Sequence, residues 1–227
     1  MKYLNIIVEG HTEELFVNTV LADHFQAFDI FLKVRKIQTG WNKLSNKPAK
    51  GGLRKYSSFR NDVLRWIESD RKNPVFWYTS MIDLYSFPKG KSSPYKNDIQ
   101  KISDPYKKVI ELEKAIYADI ACEKFIPYVQ LHEFEALLLV DPDKLELMYP
   151  ESKSKITLLK NNITHARPEE INESKQTAPS KRIIKFIPEY EHQKAQVGPL
   201  IAEDIGLTAL RQNCQHFDEW IKKLEKI

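Results

Sequence analysis

The sequence has little cysteine and no long apolar run. Only two of its 227 residues are cysteines, Cys122 and Cys214, so neither a disulfide framework nor a cysteine-based zinc site organises the fold. No apolar stretch reaches the roughly 18 residues that a transmembrane helix requires, so we expect no membrane partner. The N-terminus begins with a strand-like segment that carries Glu9, which is unlike a signal peptide. These absences predict a cytoplasmic protein.

The composition is that of an ordinary globular protein. Hydrophobic residues make up 42% and charged residues 29% of the chain, which excludes an intrinsically disordered one. A length of 227 residues favours one domain with an elaboration over two independent domains. We predict an α/β core over residues 1–140 and a helical C-terminal extension over residues 141–227 that packs on this core as part of one unit.

Strand-like and helix-like patterns alternate through the first part of the chain. Apolar runs predict strands at residues 2–8, 30–37, 75–82 and 125–131. Between these runs, apolar residues at helical spacing predict helices over residues 13–27, 58–69 and 105–120. The order β-α-β-α-β-α-β predicts an α/β fold with a mostly parallel central sheet flanked by helices.

Acidic residues are absent from a long stretch of the chain, although the net charge is only +4. Residues 30–61 hold nine lysines and arginines and no Asp or Glu, and residues 38–56 within this stretch are predicted to be a long loop. A field of one sign can hold a phosphate backbone, and the aromatic residues among these charges can stack on bases. The alternative is a solvated loop whose lysines only confer solubility. On the first interpretation the nucleic-acid-binding residues are Lys43, Lys47, Lys50, Arg54, Lys55 and Arg60.

Three of the predicted strands end in acidic residues. Glu9 follows the first strand, Asp83 ends the third, and the sequence His-Glu-Phe-Glu at 132–135 follows the fourth. Because the carboxyl ends of parallel strands meet at one edge of a sheet, we expect these side chains to lie together, with Glu13 one helical turn beyond Glu9. Crowded carboxylates repel one another unless a cation lies between them, and oxygen-rich sites suit Mg²⁺, Mn²⁺ or Ca²⁺. The sequence therefore predicts a metal site formed by Glu9, Glu13, Asp83, Glu133 and Glu135.

Some of these residues also have an ordinary structural interpretation. Acids such as Glu13 are favoured at a helix start by the helix dipole, and His132 could be a buried structural histidine. On the functional interpretation, Glu9, Asp83 and His132 take part in catalysis. Lys181 and Arg182, at the start of a helix predicted after Pro179, would then clamp a phosphate, whereas the alternative for this pair is a solvated helix face.

Five segments of the sequence resemble a bacterial family of unknown function, the DUF4276 proteins. They are VEGHTEE at 8–14, MIDLYSFP at 81–88, YVQLHEFEALLL at 128–139, PSKRI at 179–183 and GPLIAEDIGLTALRQNCQHFDEW at 198–220. The first segment also resembles the EGxxE motif that opens Toprim domains, especially those of the overcoming-lysogenization-defect (OLD) nucleases.

The resemblance implies a Toprim-like fold that binds Mg²⁺, nuclease activity, and partnership with an ATPase in bacterial defence loci. Carried over by motif, Glu9 would be a metal ligand or general base, and Glu13 and Asp83 would be metal ligands. This chain departs from the pattern at position 85, where the Toprim DxD motif has a second acid and the sequence has Tyr85. An acid of the His-Glu-Phe-Glu segment is then the candidate for the missing carboxylate.

The sequence leaves three functions open. The first is a Mg²⁺- or Mn²⁺-dependent nuclease that acts on DNA or RNA as an anti-phage effector. The second is a catalytically degenerate Toprim-like module that binds and regulates an ATPase partner, which the missing acid at position 85 favours. The third is an enzyme for small phosphate esters, such as a phosphatase or nucleotide hydrolase. Whether the chain forms a homo-oligomer is also left open.

Overall fold

Five strands form a central sheet in which every hydrogen-bonded pair is parallel. A computed structural model describes residues 1–42, 47–50, 53–85, 87–163, 167–172 and 176–227, without the side chains of 39–42 and 47–50. The seven strands of this part are β1 (Lys2–Val8), β2 (Ile30–Lys36), β3 (Gln38–Asn42), β4 (Lys47–Lys50), β5 (Phe76–Asp83), β6 (Phe125–Ile126) and β7 (Val129–Gln130). The sheet order is β2-β1-β5-β6, with β7 also pairing with β5. The predicted α/β fold with a mostly parallel sheet is confirmed.

Helices cover both faces of this sheet. The described α-helices are α1 (His11–Phe16), α2 (Ala22–Gln26), α3 (Tyr56–Ser69), α4 (Asn97–Gln100), α5 (Pro105–Ile120), α6 (Lys153–Ile163), α7 (Pro179–Phe186), α8 (Tyr190–Ile205), α9 (Leu207–Asn213) and α10 (Gln215–Leu224). Leu4 and Ile6 of β1 belong to a core shared with α8 and α10, whereas Ile7 belongs to a second core with α3 and α5. Burial on both faces explains why the strands read as continuous apolar runs.

The predicted loop over residues 38–56 is wrong in part, because β3 and β4 pair there as an antiparallel hairpin. Pro48 lies in β4, and proline within a run of residues argues against a central strand. A two-stranded ribbon has free edges, so a residue without an N–H group is tolerated in it. Of the predicted nucleic-acid ligands in this region, Lys43 and the side chains of Lys47 and Lys50 lie outside the described residues.

The predicted fourth strand over residues 125–131 is divided into β6 and β7. Pro127 lies between them and has no backbone N–H to continue the ladder, so each half pairs separately with β5. The segment after it, Phe134–Val140, is a 3₁₀ helix, and the first predicted helix contains a π-helical turn at Val17–Leu21 between α1 and α2.

The helices of the second half of the chain pack on the face of the sheet to which Leu4 and Ile6 of β1 point. Their best-defined anchor is Trp220 on α10, whose ring is stacked on that of Tyr128 with a centroid distance of 4.2 Å and an angle of 10°. The indole N–H of Trp220 donates to Thr79 Oγ1 on β5 at 2.9 Å. The shared apolar core and this stack attach the C-terminal helix directly to the sheet.

Buried carboxylates fix the start of α10. Glu169, which is fully buried, accepts hydrogen bonds from the backbone N–H groups of His216 and Phe217, both at 3.0 Å. Glu113 on α5 accepts from the Val129 N–H at 2.8 Å and lies 2.9 Å from His216 Nε2. Since the first N–H groups of a helix have no partner within it, Glu169 acts as a cap brought from elsewhere in the chain.

None of the helices in the described part of the chain has the length and apolar character needed to cross a bilayer.

We expect Glu169→Ala to lower the free energy of unfolding by about 2–4 kcal/mol, because it leaves two buried N–H groups without an acceptor. Glu169→Gln keeps one acceptor oxygen and should cost less. Urea denaturation measures both values. The control is Glu170→Ala, because Glu170 is exposed and pairs only loosely with Arg167 at 4.0 Å. Equal effects at positions 169 and 170 would contradict this assignment.

Candidate metal and phosphodiester site

Glu9 joins the ends of two neighbouring strands. It follows β1 directly, and its Oε2 accepts a hydrogen bond from the backbone N–H of Asp83 at 3.2 Å. Its other carboxylate oxygen, Oε1, accepts from the N–H of Leu53 at 3.1 Å, which brings the segment before α3 to the same edge. Glu9 and Asp83, which are 74 residues apart in sequence, are therefore in direct contact as expected, through the Glu9 carboxylate and the Asp83 backbone N–H.

Glu13 lies just behind Glu9, in the first turn of α1. Its side chain is 6% exposed, and its Oε2 accepts from the N–H of Gly10 at 2.7 Å. A Cβ atom at Gly10 would lie 3.2 Å from that same oxygen, so glycine leaves the room in which the carboxylate approaches the backbone. The pKa of Glu13 is raised to about 7 by burial and, to a smaller extent, by the charges of Glu9 and Glu135.

Asp83 is at the centre of the acidic cluster. Its Oδ1 is buried and has no hydrogen-bond partner among the described residues. Burial raises the pKa of Asp83 well above its ordinary value, and the negative charges of Glu9, Glu13, Glu135 and Glu133 raise it further. An unpartnered carboxylate oxygen surrounded by other carboxylates is a costly arrangement in the absence of a cation.

The two acids of the His-Glu-Phe-Glu segment are held by the C-terminal half of the chain. Glu133 Oε2 accepts from the N–H of Ser180, in the first turn of α7, at 2.9 Å. Glu135 Oε1 accepts from the hydroxyl of Tyr190 on α8 at 3.3 Å. Burial and the neighbouring charge of Glu133 raise the pKa of Glu135 to about 7. A Cβ at Gly198 would lie 3.1 Å from the Tyr190 hydroxyl, so the absence of a side chain at Gly198 leaves room for this hydroxyl.

His132 is a neutral, buried imidazole beside this segment. Its backbone has a positive φ of 63°, and its Nδ1 lies 3.1 Å from Nδ2 of Asn172. Its Nε2 is buried without a hydrogen-bond partner in the described part of the chain. Burial lowers the pKa of His132 to about 4, and the charge of Lys108 acts in the same direction. His132 therefore carries no charge near neutral pH, and its catalytic role stays a prediction.

Lys181 and Arg182 lie one and two residues beyond the Ser180 N–H that holds Glu133. The Nζ of Lys181 lies 3.6 Å from Glu191. Arg182 donates from Nε to the carbonyl of Thr177 at 2.9 Å and from Nη1 to Asn162 at 2.8 Å. Both side chains thus have protein partners, and their predicted role as a phosphate clamp remains a prediction.

The basic residues before and within α3 divide into two kinds. Arg54 and Lys55 are exposed and come directly after Leu53, whose N–H contacts Glu9. Arg60 instead donates to Asp119 at 2.9 Å, so its charge is neutralised by an acid of the protein. Arg54 and Lys55 are therefore exposed cations next to a residue that contacts the acidic cluster.

The donor chemistry of the cluster suits a hard divalent cation, although the side chains as they stand are not arranged around one point. All donors are carboxylate oxygens, the ligands that Mg²⁺ and Mn²⁺ prefer. Among the described residues, no three Asp, Glu, His or Cys side chains are arranged as ligands of one ion. Glu9 and Glu13 instead accept bonds from backbone N–H groups. A cation would have to replace those bonds, while the free Oδ1 of Asp83 is available without any such exchange.

The positions of the acids followed from the strand pattern, but their partners did not. Tyr190, Ser180 and Leu53 contact the cluster through a hydroxyl or a backbone N–H. A backbone donor leaves no signature in residue type, so no sequence signal identifies the last two. Tyr190 is the first residue of α8, two positions after Pro188, and a tyrosine there is equally compatible with a plain core position.

The family model of a domain of unknown function, DUF4276, matches residues 8–225. No curated protein and no solved structure is significantly similar to the chain.

We expect Glu135→Gln to stabilise the protein more at high pH than at low pH. With a pKa of about 7 when folded and an ordinary value of 4.5, Glu135 binds more protons in the folded state between these limits. Its contribution to stability therefore falls as pH rises from about 4.5 to 7. The glutamine variant removes this loss and should be about 1–3 kcal/mol more stable than wild type at pH 8, but nearly equal to it at pH 4.

Urea denaturation across this pH range measures the effect. Glu123→Gln is the matched control, because Glu123 is exposed and distant from the cluster. A difference between Glu135→Gln and wild type that does not change with pH would contradict the assigned titration.

Proposed function

Since the chain belongs to the DUF4276 family, whose function is unknown, its activity has to be inferred from its own residues, and we propose that it is a Mg²⁺- or Mn²⁺-dependent nuclease. One observation carries this proposal. Five carboxylates from three distant segments lie near the carboxyl edge of a parallel sheet, where the charges of the other four raise the pKa of Asp83, and the buried Oδ1 of Asp83 has no partner among the described residues. Neighbouring carboxylates are the usual protein ligands of divalent cations, and enzymes use such cations to hydrolyse phosphate esters.

Asp83, Glu9 and Glu13 are the residues that would hold the cation, with Glu133 or Glu135 in place of the acid that Tyr85 replaces. A bound Mg²⁺ or Mn²⁺ would supply a Lewis acid for a phosphate oxygen and a water of lowered pKa. Ser180 N–H and the Tyr190 hydroxyl orient the last two carboxylates. The burial of the cluster limits access of bulk water and strengthens every charge interaction inside it.

Basic surfaces beside this edge support a polyanionic substrate. Arg54 and Lys55 are exposed next to Leu53, which contacts Glu9. The segment after β5, whose Phe87 ring lies 6.1 Å from that of Tyr56 at the start of α3, forms an open cleft of about 620 Å³ lined by Lys89, Lys91 and Lys96 together with Asp98. These positive groups near the acidic centre would guide a phosphate backbone toward it.

The resemblance to Toprim domains of OLD nucleases agrees with this proposal through the Glu9–Gly10 and Glu13 positions. A cytoplasmic location, an ATPase partner and a role in anti-phage defence are part of the same proposal and rest on that resemblance.

A second candidate function is a binding or regulatory module that docks on an ATPase. Two observations favour it. Tyr85 stands where the Toprim pattern has an acid, and it is 41% exposed with its N–H bonded to the carbonyl of His132 at 2.9 Å. In addition, Glu9 and Glu13 are satisfied by backbone N–H groups without a cation.

We expect the purified chain to cleave DNA or RNA with Mg²⁺ or Mn²⁺, and Asp83→Asn and Glu9→Gln to lower the rate at least about a hundredfold. The assay follows end-labelled single- and double-stranded DNA and structured RNA. Asp23→Asn is the control, because Asp23 is an exposed acid on α2 outside the cluster. Cleavage that survives both cluster variants would remove these residues from the mechanism. Turnover of a small phosphodiester without cleavage of any polymer would favour the small-substrate hydrolase.

We also expect Mg²⁺ to bind in the millimolar range or more tightly, and to raise the thermal midpoint of the wild type but not of Asp83→Asn. Isothermal calorimetry and thermal unfolding with and without EDTA measure this. The exposed-acid variant at position 23 should behave as wild type. No heat and no shift with either Mg²⁺ or Mn²⁺ would favour the regulatory module over the enzyme.

A further inference from the structure

A second polar cleft lies beside the acidic cluster, between the carboxyl end of β2 and helix α3. It has a volume of about 270 Å³, and its wall is formed by Arg35 and Lys36 of β2 together with Asp62, Arg65 and Trp66 of α3. Two cations, Arg35 and Arg65, and one carboxylate, Asp62, therefore face this small space, whereas the side chain of Lys36 turns to Glu14 at the other face of the sheet. Such an excess of positive charge indicates an anionic ligand.

Arg35 is the cation of this cleft that the protein leaves available. Arg65 pairs with Asp62, whose other oxygen accepts from the Gln38 N–H at 2.7 Å. Lys36 pairs with Glu14. Arg35 forms no ion pair with any acid in the described part of the chain, and this cation is exposed.

The guanidinium of Arg35 is held in a fixed orientation. Its central carbon lies 4.1 Å from the ring centroid of Trp66, and Trp66 itself is 3% exposed and anchored in the α3 core. Stacking on an indole restricts the guanidinium without using its N–H donors. A guanidinium placed in this way is prepared for two parallel hydrogen bonds to a phosphate.

The position of the cleft relates it to the acidic cluster. Arg35 is the register partner of Ile7 on β1, and the N–H of Ile37 donates to the carbonyl of Val8 at 3.0 Å. Glu9 is the next residue of that strand. Gln38, just beyond the end of β2, also lines the cleft, so the cleft reaches the carboxyl edge of the sheet one strand to the side of Glu9.

We propose that this cleft binds a non-scissile phosphate of a polynucleotide strand, with Arg35 as the donor. This inference rests on the proposed nuclease function, because that function places the scissile phosphodiester at the acidic cluster next to the cleft. A strand that crosses the carboxyl edge of the sheet would place one phosphate at the acidic cluster and a neighbouring one against Arg35. Arg35 would then fix the register of the strand relative to the cluster.

The test is binding of a short fluorescent oligothymidylate to the full chain in EDTA, followed by anisotropy. We expect Arg35→Gln to weaken binding about tenfold, and Arg35→Lys to weaken it by less, because lysine keeps the charge but not the planar donors. The slope of log K against log salt should fall by about 0.7 for Arg35→Gln, as expected for the loss of one contact to a single strand.

Lys33→Gln is the matched control. Lys33 lies two residues earlier on the same face of β2, and its Nζ lies over the rings of Tyr3 and Phe76 at 4.7 and 4.6 Å. It carries the same charge but lies farther from the carboxyl edge, so its loss should change affinity less than twofold. Unchanged thermal midpoints confirm that all three variants fold.

Equal effects of Arg35→Gln and Lys33→Gln would overturn the subsite, because the attraction would then be general. Tighter binding of thymidine monophosphate than of the oligonucleotide at Arg35 would also overturn it, in favour of a mononucleotide pocket. The readout does not involve cleavage, so the two proposals fail separately. Cleavage by the wild type with no effect of Arg35→Gln on binding overturns only the subsite, whereas an Arg35-dependent affinity without cleavage overturns the nuclease and leaves Arg35 as a phosphate contact of a strand-binding site.

Discussion

The mutual repulsion of buried carboxylates is the constraint on which the functional edge of this molecule depends. Asp83 is surrounded by four other acids at a place where burial alone already disfavours charge. Folding tolerates this because the backbone N–H groups of Asp83, Leu53, Gly10 and Ser180, together with a tyrosine hydroxyl, donate hydrogen bonds to four of the carboxylates. One oxygen of Asp83 remains without such a partner among the described residues, and this is where an external cation would gain most.

The parallel sheet explains which parts of this site the sequence could predict. Glu9 and Asp83 end strands whose apolar runs are unmistakable, and parallel pairing leaves them no other place than the same edge. The hairpin of β3 and β4 was missed because Pro48 argues against a strand, and Pro127 divided a strand that its apolar residues suggested to be continuous. Periodicity reports burial and spacing, but it does not report which short segments find a partner.

The partners of the site follow a different logic from its acids. Tyr190 and the Ser180 N–H meet Glu135 and Glu133 through contacts that span 55 and 47 residues. Arg35 and Trp66 meet because α3 packs on the face of the sheet to which Arg35 of β2 points. By itself, an arginine on an edge strand or a tryptophan in a core helix is unremarked in sequence. Such pairs depend on the three-dimensional placement of whole elements, so a single sequence does not reveal them.

The groups that hold Glu133 and Glu135 come from the C-terminal half of the chain, and this affects the order in which the acidic cluster forms during synthesis. The acids up to Glu135 leave the ribosome well before α7 and α8, which supply the groups that hold Glu133 and Glu135. The apolar surface of β1 likewise awaits α8 and α10. Until α7 and α8 emerge, a growing chain lacks the groups that orient Glu133 and Glu135, so this part of the edge is completed only when these two helices pack on the sheet.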